Sequence, residues 1–141
     1  MLEIEIEQPT LLVVDDEPVN LRVLKQLLAP DYQLVFARNG EEALKLARGR
    51  QPNLILLDVM MPGLTGFEVC RQLKQQSSTK HIPVIFVTAL NDEHEETEGF
   101  DAGAVDYITK PISPAIVKAR VKTHLSFCLL YTSPSPRDNL R

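Results

Sequence analysis

Apolar residues in this chain fall into short continuous runs separated by longer amphipathic stretches. The clearest runs are 10–14 (TLLVV), 54–57 (LILL) and 84–87 (VIFV). Strands covered on both faces read this way, whereas a strand with one face in water alternates. Two further runs, 32–37 (YQLVFA) and 104–108 (AVDYI), mix polar with apolar residues and suit strands nearer a sheet edge. The intervening stretches carry helix signals. After Pro18, residues Val23, Leu24, Leu27 and Leu28 form a stripe at helical spacing that stops before Pro30. A second helix begins near Asn39, with Glu41 and Glu42 in its first turn. It ends at Arg48, Gly49 and Arg50, as the helix dipole and the preference for a C-terminal glycine favour. A third presents Phe67, Cys70 and Leu73 on one face. A fourth, around 92–100 (DEHEETEGF), is acidic and poor in apolar residues, and is expected to pack loosely and move. The last opens with Ser113 as N-cap and Pro114 at its first position, then buries Val117, Val121 and Leu125.

Five strands alternating with five helices predict βα units and a doubly wound α/β fold around one parallel sheet. A length of 141 residues, 44% of them hydrophobic, suits one domain, placed at 10–128 after an N-terminal extension, 1–9. From about 129 (LLYTSPSPRDNLR) the composition turns to Ser, Pro and Arg without periodicity. Residues 129–141 are therefore expected to be a disordered tail, vector-derived after a truncation, with a natural Pro-rich linker as the alternative. Lys and Arg number 15 against 19 Asp and Glu, a net charge of −4, which argues against a surface built to hold nucleic acid phosphates. Cys70 and Cys128 have no metal-ligand spacing and read as reduced thiols. The opening MLEIEIEQPT lacks the pattern of a signal peptide and no apolar run approaches a membrane span, so a cytoplasmic protein is expected.

Right-handed crossovers put the C-terminal ends of all strands of an open parallel sheet on one edge, where ligands bind. Asp15 and Asp16 follow the first strand, Asp58 the third, Thr88 and Ala89 the fourth, and Lys110 with Pro111 the fifth. Carboxylates at 4 Å repel by about 4 kcal/mol per pair at an effective dielectric near 20, so such a cluster calls for a cation. Oxygen ligands without His or Cys select Mg²⁺ or a similar ion, which can be shared with a phosphate. A nearby ammonium and hydroxyl complete a site for a dianionic phosphoryl group, and carboxylate nucleophiles forming aspartyl phosphates are an established route of covalent catalysis.

The segments VVDDEPVN at 13–20, LLDVMMPGLTG at 56–66, VTAL at 87–90 and DAGAVDYITKP at 101–111 resemble the response-regulator receiver family over roughly residues 10–127. The joint occurrence of the acidic pair, DxxMPxxxG and the late KP makes the resemblance specific. It implies a flavodoxin-like, CheY-like (βα)5 fold with strand order 2-1-3-4-5. It further implies that Asp58 is the phosphoacceptor and that Mg²⁺ (or Mn²⁺) is bound by Asp16, Asp58 and the backbone carbonyl of Met60, with Asp15 acting through water. Lys110, Thr88 and Ala89 would contact the phosphate. Thr88 would be the switch hydroxyl, Tyr107 the aromatic that turns inward with it, and Lys110-Pro111 a cis peptide.

The implied partners are a sensor histidine kinase or phosphotransfer protein, and an output domain beyond this segment. The ending IVKARVKTHLSF resembles receivers that continue into an output domain, often one for cyclic-dinucleotide signalling, and a homodimer would form through the helix 4, strand 5 and helix 5 face. Direct nucleic acid and membrane binding are not expected, nor enzyme activity beyond the domain's own phosphorylation and dephosphorylation. Met60 and Leu90 flank the site where many members carry polar groups that orient water, so slow spontaneous dephosphorylation is expected.

Ordinary readings compete for individual residues. An Asp pair after a strand is often a helix N-cap, Thr88 alone a satisfied strand-end hydroxyl, Tyr107 edge packing and Met61 core filler. His81, His94 and His124 are scattered and suggest neither zinc nor phosphohistidine. A haloacid-dehalogenase-type hydrolase would need an Asp where Met60 stands, and a pseudo-receiver would have lost Asp16, Asp58 or Lys110.

Overall fold

The structure, a computed structural model, describes residues 8–89 and 93–132; for Glu93, His94, Glu96 and residues 127–132 it describes the backbone alone. In chain order the elements are β1 (Thr10–Val14), α1 (Pro18–Leu28), β2 (Gln33–Ala37), α2 (Gly40–Arg50) and β3 (Leu54–Leu57). There follow α3 (Gly66–Gln75), β4 (Val84–Thr88), α4 (Glu93–Asp101), β5 (Asp106–Thr109) and α5 (Pro114–Thr132). All strand pairs are parallel and the order is β2-β1-β3-β4-β5. This is the doubly wound, flavodoxin-like topology expected above.

The continuous apolar runs split by pleat, because successive side chains on a strand point to opposite faces. Leu12, Val14, Ile55, Leu57, Val84 and Phe86 join Ala43 and Ala47 of α2 and Phe67, Val69, Cys70 and Leu73 of α3 in one core. Leu11, Val13, Leu54, Leu56, Ile85 and Val87 join Leu24 and Leu28 of α1 and Val117, Val121 and Leu125 of α5 in the other.

Local chemistry sets the helix ends. Asn39 Oδ1 accepts the Glu42 N–H at the start of α2, and Thr65 and Glu68 form a reciprocal capping box at the start of α3. Gly49 does not end α2. The left-handed residue is Gln51 (φ 47), and its side-chain amide donates to the Ala47 and Arg48 carbonyls that the helix leaves open.

Four other expectations shift. The β2 run starts at Gln33 because the Tyr32 N–H closes the turn after α1 on the Leu28 carbonyl. The β5 run begins at Asp106, since the Ala104 N–H turns back to the Gly99 carbonyl at the end of α4. Val23 of the α1 stripe is 46% exposed, leaving Leu24 and Leu28 as the buried pair. Finally, α5 runs to Thr132, past the expected limit of 128, because no Gly or Pro interrupts the chain between Pro114 and Pro134.

Candidate functional site

Asp15, Asp58 and Lys110 each stand just past the end of a strand, yet one last inter-strand hydrogen bond still holds each of them, while Thr88 is the last residue of β4 itself. The Asp15 N–H donates to the Ala37 carbonyl, the Asp58 N–H to Val14 and the Lys110 N–H to Thr88. The backbone therefore fixes three side chains at one rim before any side-chain interaction is counted. Behind Asp58, the first turn of α3 presses on the loop. The Gly66 N–H donates to the Val59 carbonyl at 2.8 Å, and a Cβ on Gly66 would lie 2.2 Å from the Asp58 carbonyl oxygen. Only glycine permits that approach.

The rim gathers the expected charges. Asp15, Asp16 and Asp58 each offer a carboxylate oxygen within 4.8 Å of the others, and Asp15 and Asp58 are buried. The Lys110 ammonium bridges two of them, at 2.9 Å from Asp15 Oδ2 and 3.3 Å from Asp58 Oδ2. The Met60 N–H donates to Asp58 Oδ1. A cleft of about 250 Å³ opens here, lined by Asp16, Glu17, Asp58, Met60, Thr88, Ala89 and Lys110. Its donor set, three carboxylates with no sulfur or imidazole, fits a hard divalent cation.

The Asp58 carboxyl is pushed above the ordinary carboxylate value, first by burial; Lys110 draws it back and Asp15 adds to the rise. Burial alone would depress the Lys110 ammonium, but the hydrogen bond to Asp15 and the charge of Asp58 carry it above its usual value. The two partners thus respond differently to one ion pair. Lys110 gains two anions, whereas Asp58 shares its single cation with Asp15. Three carboxylates against one ammonium leave the cluster two positive charges short.

Tyr107 lies elsewhere. It neighbours Phe86 across the sheet, with ring centroids 6.2 Å apart, and is inward and buried at 6% exposure, close to Gly99 of α4. It does not line the cleft. Beneath it, Asp106 receives Arg120 at 3.2 Å and His124 at 2.9 Å, while Arg120 also donates to the Tyr107 carbonyl. His124 is thus tied into the β5/α5 junction; the i, i+4 spacing of Arg120 and His124 was the available signal. Met60 is 62% exposed at the cleft mouth, Leu90 lies outside the described residues, and Lys110-Pro111 is cis. Glu17 and Asn20 were missed. Both belong to the VVDDEPVN segment, and their i, i+3 spacing in the first turn of a helix could have marked them.

An open parallel sheet with an acid trio and a lysine at its C-terminal rim defines a receiver-type signalling domain. Residues 11–122 match the family model described as the response regulator receiver domain, and the chain belongs to that family. It is 44% identical, over 86% of its length, to a probable cyclic di-GMP phosphodiesterase of Vibrio cholerae, and spans only 27% of that relative. It is also similar to the crystal structure of a putative response regulator from Chloroflexus aurantiacus (TM-score 0.81, 36% identity, 85% of this chain and 99% of that one). A further neighbour is the receiver domain of the sensor histidine kinase PA1611 from Pseudomonas aeruginosa, described with a magnesium ion coordinated in its active site cleft. There the TM-score is 0.79 at 26% identity, over 84% of this chain and 98% of that one.

Proposed function

We propose that the domain accepts a phosphoryl group on Asp58 in a reaction that depends on Mg²⁺ or Mn²⁺. The observation that carries this reading is the convergence of three carboxylates within 4.8 Å on a lysine that bridges only two of them. Asp16, Asp58 and the Met60 carbonyl would hold a divalent cation, with Asp15 acting through water, and the ion would supply the two missing positive charges. An Asp58 oxygen attacks phosphorus in line, forming an acyl phosphate as the bond to the donor's leaving atom breaks. Lys110 neutralises the arriving oxygens, with Thr88 and Ala89 at the cleft wall as hydrogen-bonding partners. The donor chemistry is a phosphohistidine on a sensor kinase or phosphotransfer protein.

Phosphorylation shifts the face formed by α4, β5 and α5 between two arrangements, with Thr88 and Tyr107 as the coupled pair. That face is proposed to engage an output domain or a second copy. The Vibrio relative's description supports a cyclic-dinucleotide output. The domain's only catalysis is of its own phosphorylation and dephosphorylation. The cytoplasmic setting such a role requires is compatible with the absence, among the described residues, of a helix long and apolar enough to cross a membrane.

Incubation with acetyl phosphate and Mg²⁺, read by intact mass, tests the reading. The parent gains one phosphoryl group, whereas Asp58→Asn and a chelated sample gain none; equal gain by Asp58→Asn would refute the assignment. The exposed Met60 side chain offers no hydrogen bond to water, so Met60→Asn shortens the phosphorylated lifetime.

A further inference from the structure

We infer that Asn20 is a positioning residue for the cation: its side-chain amide pins Glu17 to the cleft wall as a fourth carboxylate and braces Asp15 against Lys110. The inference rests on reading the cleft as a divalent cation site.

The Asn20 Nδ2 group faces three carboxylate oxygens, at 2.7 Å from Glu17 Oε1 and at 3.2 and 3.4 Å from Asp15 Oδ2 and Oδ1. Carboxylates only accept, so the NH₂ end and not the carbonyl must point this way. The shortest contact goes to Glu17, which lines the cleft yet is exposed and lies outside the acid trio. A free glutamate loses rotamer freedom when immobilised, so an anion stays beside the cleft only if something holds it. Asn20 does so from one helical turn away, where i and i+3 side chains meet.

The same amide completes the environment of Asp15. Asp15 Oδ1 already accepts the Glu17 N–H at 2.9 Å and Oδ2 accepts Lys110 at 2.9 Å. Asn20 reaches both oxygens and fixes the carboxylate plane. Asp15, Glu17 and Asn20 thus form one hydrogen-bonded unit at the start of α1, beside the cleft. Groups behind a metal's direct ligands commonly set its affinity by orienting those ligands and their waters.

Mn²⁺ binding, followed by electron paramagnetic resonance on the parent, Asn20→Ala, Glu17→Gln and the double variant, tests this, with melting temperatures taken without metal. Loss of a group that orients metal ligands typically costs about 10–100-fold in affinity, and for this water-mediated case Asn20→Ala weakens binding at the lower end, by about tenfold. Glu17→Gln weakens it less, and the double variant stays within about twofold of Asn20→Ala because both remove parts of one device. Asn20→Ala with unchanged Mn²⁺ affinity, whether or not its melting temperature falls, overturns the inference, as do losses that multiply in the double variant. A parent that binds no Mn²⁺ would sink the cation-site reading itself; a parent that binds alongside an indistinguishable variant sinks only the role of Asn20.

Discussion

Helices α3 and α4 flank the same face of the sheet but are secured in opposite ways. Helix α3 starts with a complete capping box and buries Gly66, Phe67, Val69, Cys70 and Leu73. Among the described side chains of α4 only Gly99 is buried, against the rings of Phe86 and Tyr107, while Phe100 is 47% exposed. A surface ion pair, Arg71 to Glu98 at 3.0 Å, links the two. The sheet is therefore firmly packed on the α3 side, beside Asp58, and lightly fastened at α4, where the proposed function has a signal leave. That division suits a switch, since elements that rearrange come from the less stable parts of a fold.

The largest effect expected to sharpen the contrast is a truncation on each helix. Leu73→Ala removes a fully buried side chain from α3 and costs about 2–5 kcal/mol in urea unfolding, whereas Phe100→Ala on α4 stays within about 0.5 kcal/mol. Equal losses would erase the distinction. Next comes pH. Burial pushes the Cys70 thiol up to about 11, so the folded chain keeps a proton that the unfolded chain releases near 9. Stability from this group is whole below pH 9 and is lost as pH rises toward 11, by roughly 2–3 kcal/mol. Alkylation mapped to the Cys70 peptide should stay slow in the native protein at pH 9 and become fast on unfolding.

Smaller still is the pair of glycines. A Cβ on Gly66 meets backbone atoms of Asp58 and Val59, so Gly66→Ala costs about 1–3 kcal/mol and also slows phosphorylation. On Gly99 a Cβ would meet side-chain ring edges and no backbone, Phe86 at 3.1 Å and Tyr107 at 3.4 Å, so Gly99→Ala costs less in the same unfolding assay. The least effect belongs to Arg71→Ala. An exposed ion pair is worth about 0.2–1 kcal/mol and should weaken further in high salt. A loss as large as that of Leu73→Ala would show α4 to be bound as tightly as α3.

The three central strands were legible because both faces of the sheet are covered, and the acid trio with Lys110 because strand order brings chain-distant residues to one edge. Where the pattern misled, a local hydrogen bond had outranked composition. Gln51 took the left-handed position beside Gly49 because its amide reaches two helix carbonyls. The β5 run lost its first two residues to the turn that closes α4. The apolar character of Val23 said nothing of the side of α1 on which it would fall, and it lines a second cleft with Asn20, Pro111 and Ile112. Asn20 carried no charge to attract notice. Its part in the site follows only from the three carboxylate oxygens folded around it.

Helix α5 extends for 19 residues, a rod of about 28 Å at 1.5 Å per residue. Its middle is gripped by Asp106 through Arg120 and His124, next to Tyr107 in β5. A tilt of about 5° there sweeps the far end, about 12 Å beyond His124, through roughly 1 Å. Under the proposed function the helix would be a lever arm, carrying an adjustment at the sheet edge to a point well beyond the sheet.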